Sequence, residues 1–190
     1  MKPIPLEISA RHVHLAQAHV EILFGQGHQL ARVKDLSQPG QYAAAEQVDI
    51  IGPKGSIDKV RVLGPARPES QVEISATDSR KLGIPASYRN SGDTKGTPGI
   101  TMRGPKGEVK LDCGGIIALR HLHCDLPNAA ELGVKDKDVV SIRIGGARAV
   151  IFEQVLVRVN KDFALAMHLD TDEGNAAGLE PGVTGELIKK

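Results

Sequence analysis

The sequence predicts a mainly β protein: short antiparallel strands in barrels or sandwiches, capped by short helices. Three observations carry the prediction. Strand–turn–strand runs recur along the chain, the 21 Gly and 11 Pro fall between those runs instead of in one linker, and a spaced motif occurs twice. Near the N-terminus the motif reads Ile8-Ser9-Ala10-Arg11-His12-Val13-His14, and it returns as Ile117-Ala118-Leu119-Arg120-His121-Leu122-His123. Each copy precedes a short helical pattern, which points to duplication of one small β unit.

In chain order, Ala16 to Phe24 is the longest helical candidate and stops at Gly25. Gln47–Ile51, the turn Gly52-Pro53-Lys54-Gly55 and Ser56–Leu63 form a hairpin, the second run alternating with period two. Thr77–Leu82 has a capping start and the Gly83 stop. Ile100–Arg103, Gly104-Pro105-Lys106-Gly107 and Glu108–Leu111 repeat the hairpin with the same turn, a second sign of duplication. Pro127–Leu132 and Glu173–Leu179 are short helices. Val139–Ile144 and Ala149–Phe152 form a hairpin across Gly145-Gly146, and Val155–Val159 and Phe163–Met167 are strands flanking Asn160-Lys161-Asp162.

Composition excludes several function classes. Lys plus Arg number 24 against 23 Asp plus Glu, so no broad cationic footprint for nucleic acid or an acidic membrane exists. No apolar run approaches the roughly 20 residues that span a bilayer. Met1-Lys2-Pro3-Ile4-Pro5-Leu6 lacks the apolar stretch of a secretory signal. Cys113 and Cys124 are too few for a disulfide framework, so a soluble cytoplasmic protein is expected. No glycine pattern of a Rossmann or P-loop nucleotide site is present.

Four of the seven His residues lie in two His-x-His pairs, where chance predicts well under one pair. On a strand, residues i and i+2 share a face about 6–7 Å apart, so two imidazoles can converge on one ion. On a helix they diverge by about 200°. Both pairs follow strand-like runs, and imidazole suits a zinc-like divalent ion. A catalytic zinc keeps three protein ligands and an open position, so each pair needs a partner. His168, ending the run Phe163–Met167, is one candidate. Glu73, in Gln71–Ser75, reads by pattern as a solvated acid, and Cys124 is a rival ligand. Arg67 sits between Pro65 and Pro68, a preorganised anion site or an ordinary surface arginine. Arg11 and Arg120 point away from the imidazoles on a strand and read as structural. His19 and His28 read as structural or surface residues.

Ser-Ala-Arg-His-Val-His-Leu (9–15), Gly-Pro-Ala-Arg-Pro-Glu-Ser (64–70) and Arg-His-Leu-His (120–123) together resemble the PduL-type phosphate acyltransferases, also called phosphotransacylases or phosphate propanoyltransferases. The resemblance runs through essentially the whole chain. It implies two related small antiparallel β-barrels, residues 1–10 plus 119–190 and residues 11–118, with the first strand crossing over and two Zn²⁺ between them. One zinc would take His12, His14 and Glu73, the other His121, His123 and His168. Arg67 matches the phosphate-binding, catalytic arginine. Glu7, Ile8, Ser9, Lys54, Arg61 and Asn175 fall where family members contact coenzyme A.

The implied reaction is acyl-CoA + phosphate = acyl phosphate + CoA, with propanoyl-CoA or acetyl-CoA, by direct attack on the thioester without a cysteine intermediate. Dizinc hydrolysis of a thioester, and a zinc-stabilised CoA-binding module, are the rival readings. A homodimer is the family's expected assembly. Relatives in bacterial microcompartments often carry an N-terminal amphipathic extension; here the first motif begins within ten residues of Met1, which favours a free cytoplasmic role and leaves shell association open.

Overall fold

The structure, a computed structural model, describes residues 2–188. In chain order the elements are β1 (Ile4–Ile8), β2 (His12–His14), α1 (Gln17–Phe24), β3 (Arg32–Asp35), β4 (Tyr42–Ile51), β5 (Ser56–Gly64), β6 (Gln71–Glu73) and α2 (Ala76–Leu82). There follow β7 (Tyr88–Arg89), β8 (Ile100–Arg103), β9 (Glu108–Leu111), β10 (Gly115–Ala118), β11 (His121–Cys124) and α3 (Leu126–Leu132). The chain continues with β12 (Val139–Ile144), β13 (Val150–Val159), β14 (Ala166–Leu169), α4 (Thr171–Ala177) and β15 (Thr184–Ile188). The protein is mainly β, with a closed six-stranded barrel, a half-barrel and short helices. No helix among the described residues is long and apolar enough to cross a membrane.

The chain divides into two compact units. The first takes the N-terminal segment to Ser9, Ser37–Pro39 and the chain from Leu119 onward; the second takes Ala10–Leu36 and Gly40–Ala118. In the first unit the barrel order is β1-β14-β11-β13-β12-β15. In the second, an open sheet runs β7-β10-β6-β2-β5-β4-β8-β9, with β3 on β4. Each unit buries its own aliphatic core. Leu122, Ile142, Ile144, Val155, Val157 and Met167 pack in the first, and Val13, Leu15, Ile50, Val62, Val72 and Met102 in the second. Burying such side chains contributes about 1.5–3 kcal/mol each.

Five strands of each unit correspond one to one. Beside the His-x-His strand lies a parallel neighbour (β5 for β2, β13 for β11) and an antiparallel one (β6 and β14). The antiparallel neighbour then pairs in parallel with β10 or β1. Both long hairpins carry a bulge at the same place. Pairing steps from Val48/Val60 to Ile50/Ile57 in one and from Val140/Val155 to Ile142/Phe152 in the other, with Lys59 and Gln154 at positive φ. Arg11 Nε meets Asp78 at 2.9 Å and Arg120 Nε meets Glu173 at 2.6 Å. Each acid is the N3 residue of a capping box that starts the helix after the antiparallel neighbour of the His-x-His strand.

The repeated Gly-Pro-Lys-Gly turn falls differently from what its recurrence suggests. Both copies lie in the second unit, and each docks a helix C-terminus: Lys54 N donates to Leu82 O and Lys106 N to Leu23 O, both at 3.0 Å. A Cβ on Gly52 would sit 2.3 Å from Leu82 O, and one on Gly104 2.4 Å from Leu23 O. Both turns thus receive a carbonyl from the last turn of a helix, and because both lie in one unit their recurrence does not relate the two units to each other.

Three element boundaries differ from expectation. Ala149–Phe152 and Val155–Val159 are one strand, β13, carried through the bulge. The run from Phe163 remains in the turn, where Asp162 N donates to Asn160 Oδ1 and Phe163 N to Asn160 O, so β14 starts at Ala166. The last helix starts at Thr171, two residues early, because Asp170 caps it, and it ends at left-handed Gly178.

Candidate metal centres and the anion loop

Antiparallel pairing of β2 with β6 sets His12 opposite Glu73 and His14 opposite Gln71. His12, Glu73 and His14 are all buried, and their donor atoms lie within 4.8 Å of one another. Nε2 of His12 is 3.2 Å from Nε2 of His14 and 3.5 Å from Glu73 Oε2. Nδ1 of His12 is 2.8 Å from the Ala10 carbonyl, which can only accept, so Nδ1 keeps a proton and Nε2 is the nitrogen that faces the cluster and could ligate an ion on losing its own.

In the first unit, β11 and β14 set His121 opposite His168. His121, His123 and His168 again bring donors within 4.8 Å, with ring centroids 4.6, 4.8 and 5.2 Å apart. Nδ1 of His121 is 2.7 Å from the Leu119 carbonyl, repeating the His12 anchor. Nδ1 of His123 is buried without a hydrogen-bond partner, at a cost of about 1–3 kcal/mol unless an ion takes its lone pair.

These donors fit a zinc-like ion. Each group offers three nitrogen or carboxylate donors, all buried in the first group and with His168 half-buried in the second, with two imidazoles on one strand face, and three donors leave a tetrahedral position open. The electrostatics agree. Burial disfavours the Glu73 carboxylate, but the His12 charge and hydrogen bond, then His14 and Ser91, outweigh it and hold the acid well below the carboxylate range. Burial lowers His14 to a pKa of about 3, with the His12 and Arg67 charges adding to the shift. Burial opposes a charged His12 too, yet Glu73 and the Ala10 carbonyl raise it. Burial, then His121, His168 and Arg158, keep His123 far below its ordinary value.

Arg67 is set beside the first group. Its loop is fastened to the β2–α1 connection by Arg67 N donating to Leu15 O and Ala16 N donating to Ser70 Oγ, each at 2.8 Å. Its guanidinium depresses both His12 and His14 by charge, and Nη1 donates to Ser91 Oγ at 3.2 Å. His19 Nδ1 meets Ser70 Oγ at 2.7 Å, and His28 Nε2 meets buried Glu46 at 2.7 Å; both braces are structural. Cys124 is buried in β11 and belongs to neither group. Burial and then Asp125 push its thiol up to about 11, far from a nucleophile.

The remaining expected residues fall in both units. Glu7 and Ile8 lie on β1, Ser9 N donates to Leu169 O at 2.8 Å, and Asn175 lies on α4, whose Gly174 abuts Ile8. In the second unit Lys54 sits in the β4–β5 turn, and Arg61 on β5 donates from Nη1 to Ala44 O and Ala45 O.

Four residues near the groups were not anticipated in these roles. Gln71 and Ser91 both donate to Glu73, Phe163 packs on His123 with centroids 4.3 Å apart, and Glu7 Oε2 lies 3.4 Å from His168 Nε2. Gln71 carried a usable signal, since Gln71-Val72-Glu73 has the i, i+2 parity of His-x-His. The others come from distant loops and strands.

Comparison with known proteins identifies the family of the chain. The family model described as phosphate propanoyltransferase matches residues 5–180. A phosphate propanoyltransferase of Thermotoga maritima is 54% identical over 95% of this chain and 85% of its own length. Those of Alkaliphilus metalliredigens and Listeria monocytogenes are 49% and 47% identical, each over 98% of this chain and 88% of theirs. The chain therefore belongs to the phosphate propanoyltransferase family of acyltransferases.

Proposed function

We propose that this phosphate acyltransferase is zinc-dependent and converts a short-chain acyl-CoA, propanoyl-CoA or acetyl-CoA, and phosphate into acyl phosphate and CoA. The observation that carries the reading is the pair of three-donor groups, one fully buried and one largely so, with Arg67 beside the first. His12, His14 and Glu73 would hold one Zn²⁺ and His121, His123 and His168 a second; bound there, they would supply Lewis-acid charge for a developing oxyanion and a soft site for a thiolate.

Arg67 binds phosphate through its planar fork and orients one oxygen toward the thioester carbonyl. A substantial share of phosphate is already the dianion near pH 7, so charge compensation and positioning matter more than a general base. The C–O bond forms, the C–S bond breaks, and its electron pair leaves on sulfur. Neither Cys113 nor Cys124 belongs to a donor group, and Cys124 is buried in β11, which supports direct transfer without an acyl-cysteine. Glu7, Ile8, Ser9, Lys54, Arg61 and Asn175 are the proposed CoA contacts. Residues 1–10 with 119–190, and 11–118, are the proposed domains, and a cytoplasmic homodimer, free or inside a microcompartment, is the proposed setting.

The test is release of free CoA from propanoyl-CoA and acetyl-CoA with and without phosphate. Phosphate-dependent release is expected. Equal release in phosphate-free buffer means hydrolysis and ends the proposal.

A further inference from the structure

We infer that Gln71 and Ser91 are positioning residues that join Glu73 to Arg67, so that one carboxylate oxygen is presented to the ion and the phosphate-binding guanidinium is fixed in the same hydrogen-bonded unit. The inference rests on Glu73 as a metal ligand and Arg67 as the phosphate ligand.

The hydrogen bonds leave little freedom. Glu73 Oε1 accepts from Gln71 Nε2 at 2.6 Å and from Ser91 Oγ at 2.8 Å, which uses both its lone pairs. Oε2 is the oxygen nearest His12 Nε2, at 3.5 Å, so it is the one left to ligate. The Gln71 amide has a single workable orientation, because Gly92 N donates to its Oε1 at 2.8 Å and Nε2 must then face the carboxylate. Ser91 has one proton, given to Glu73, and two lone pairs, which take Gln71 Nε2 at 2.8 Å and Arg67 Nη1 at 3.2 Å. Arg67 to Ser91 to Glu73 is therefore a directional chain from cation to anion, in which each bond polarises the next.

The other unit provides an internal comparison. Gln71 is paired with His14, and the matching partner of His123 is Ala166. Where the third donor is the imidazole of His168, no amide stands at this register position; where it is a carboxylate with an arginine close by, a buried glutamine does. An amide so buried disfavours folding unless fully satisfied, and here every one of its bonds leads to Glu73 or to the loop carrying Ser91.

The experiment uses the full-length zinc-loaded protein and measures KM for phosphate and for acyl-CoA separately, with zinc loss to a chelator followed alongside. Ser91→Ala and the near-isosteric Ser91→Cys are expected to raise phosphate KM by about ten- to a hundredfold, the scale of one hydrogen bond to a charged group. Acyl-CoA KM is expected to stay unchanged, one zinc equivalent to leave faster, and Ser91→Thr to restore both properties. In an Arg67→Ala background, Ser91→Ala is expected to change phosphate KM no further. An unchanged phosphate KM, an equal rise in both KM values, or full additivity with Arg67→Ala overturns the brace. Phosphate-independent CoA release by the unmutated protein instead overturns the functional reading on which it stands.

Discussion

Glu73→Gln isolates the contribution of one donor without disturbing volume. The glutamine keeps an oxygen where Gln71 and Ser91 donate, so its NH₂ faces His12, 3.5 Å from the present carboxylate oxygen. An amide nitrogen has no lone pair for a metal, so the first group falls from three donors to two and loses a negative charge. Zinc sites with four protein ligands are held by roughly 10–16 kcal/mol, so one ligand carries about 3 kcal/mol and its loss weakens binding by about 10²–10³-fold. After dialysis in a chelator buffer that sets free zinc between the two resulting Kd values, elemental analysis is expected to find two zinc per unmutated chain and one per variant. The His121, His123 and His168 group keeps its ion, and the thermal melt stays cooperative. Two zinc equivalents retained by the variant under that buffer would refute the donor assignment.

Arg67→Ala is expected to lower turnover by about 10²–10³-fold, as for loss of one charge-stabilising donor, with both zinc ions retained by elemental analysis; an unchanged rate at subsaturating phosphate removes Arg67 from the mechanism. Gly52→Ala is expected to destabilise by about 1–3 kcal/mol in denaturant unfolding, because the new Cβ meets backbone Leu82 O at 2.3 Å, which cannot give way cheaply. Gly145→Ala, with nothing within 4 Å, is the neutral control. In chelator, stability is expected to peak near pH 6.5. Below that value the unfolded chain binds a proton that buried His14, at about 3, refuses, and Glu73, held low, adds a further loss under the ordinary carboxylate range. Above it, the gain from His12, whose folded pKa is raised, fades as that imidazole deprotonates. Melting temperatures rising steadily from pH 5 to 9 would contradict this assignment of protons.

Much of the site was readable before any fold was known, and the reason is local. Strand parity alone places His12 with His14 and His121 with His123 on common faces, and the sequence echo marks both as one device. The helix stop at Gly83 and the Gly-Pro-Lys-Gly turns are likewise short-range, set by backbone preferences within a few residues. The third donors were a harder matter. Pattern alone read Glu73 as a solvated acid, since a single carboxylate on a strand carries no mark of what its neighbouring strand presents.

The sequence by itself therefore determined which side chains share a face, where strands turn, and that one motif occurs twice. Tertiary structure decided which strands pair. It placed β6 against β2 and β14 against β11, so that Glu73 and His168 complete the two groups, and it laid β5 and β13 parallel to the His-x-His strands, a pairing that hairpin patterns do not announce. It brought Ser91 to Glu73 across 18 residues and showed that the repeated turn serves two helix ends. The physical reason is range. Period-two alternation is fixed by the geometry of consecutive residues, whereas strand partners are chosen by the burial and hydrogen bonding of the whole chain at once, and no window of neighbouring residues contains that choice.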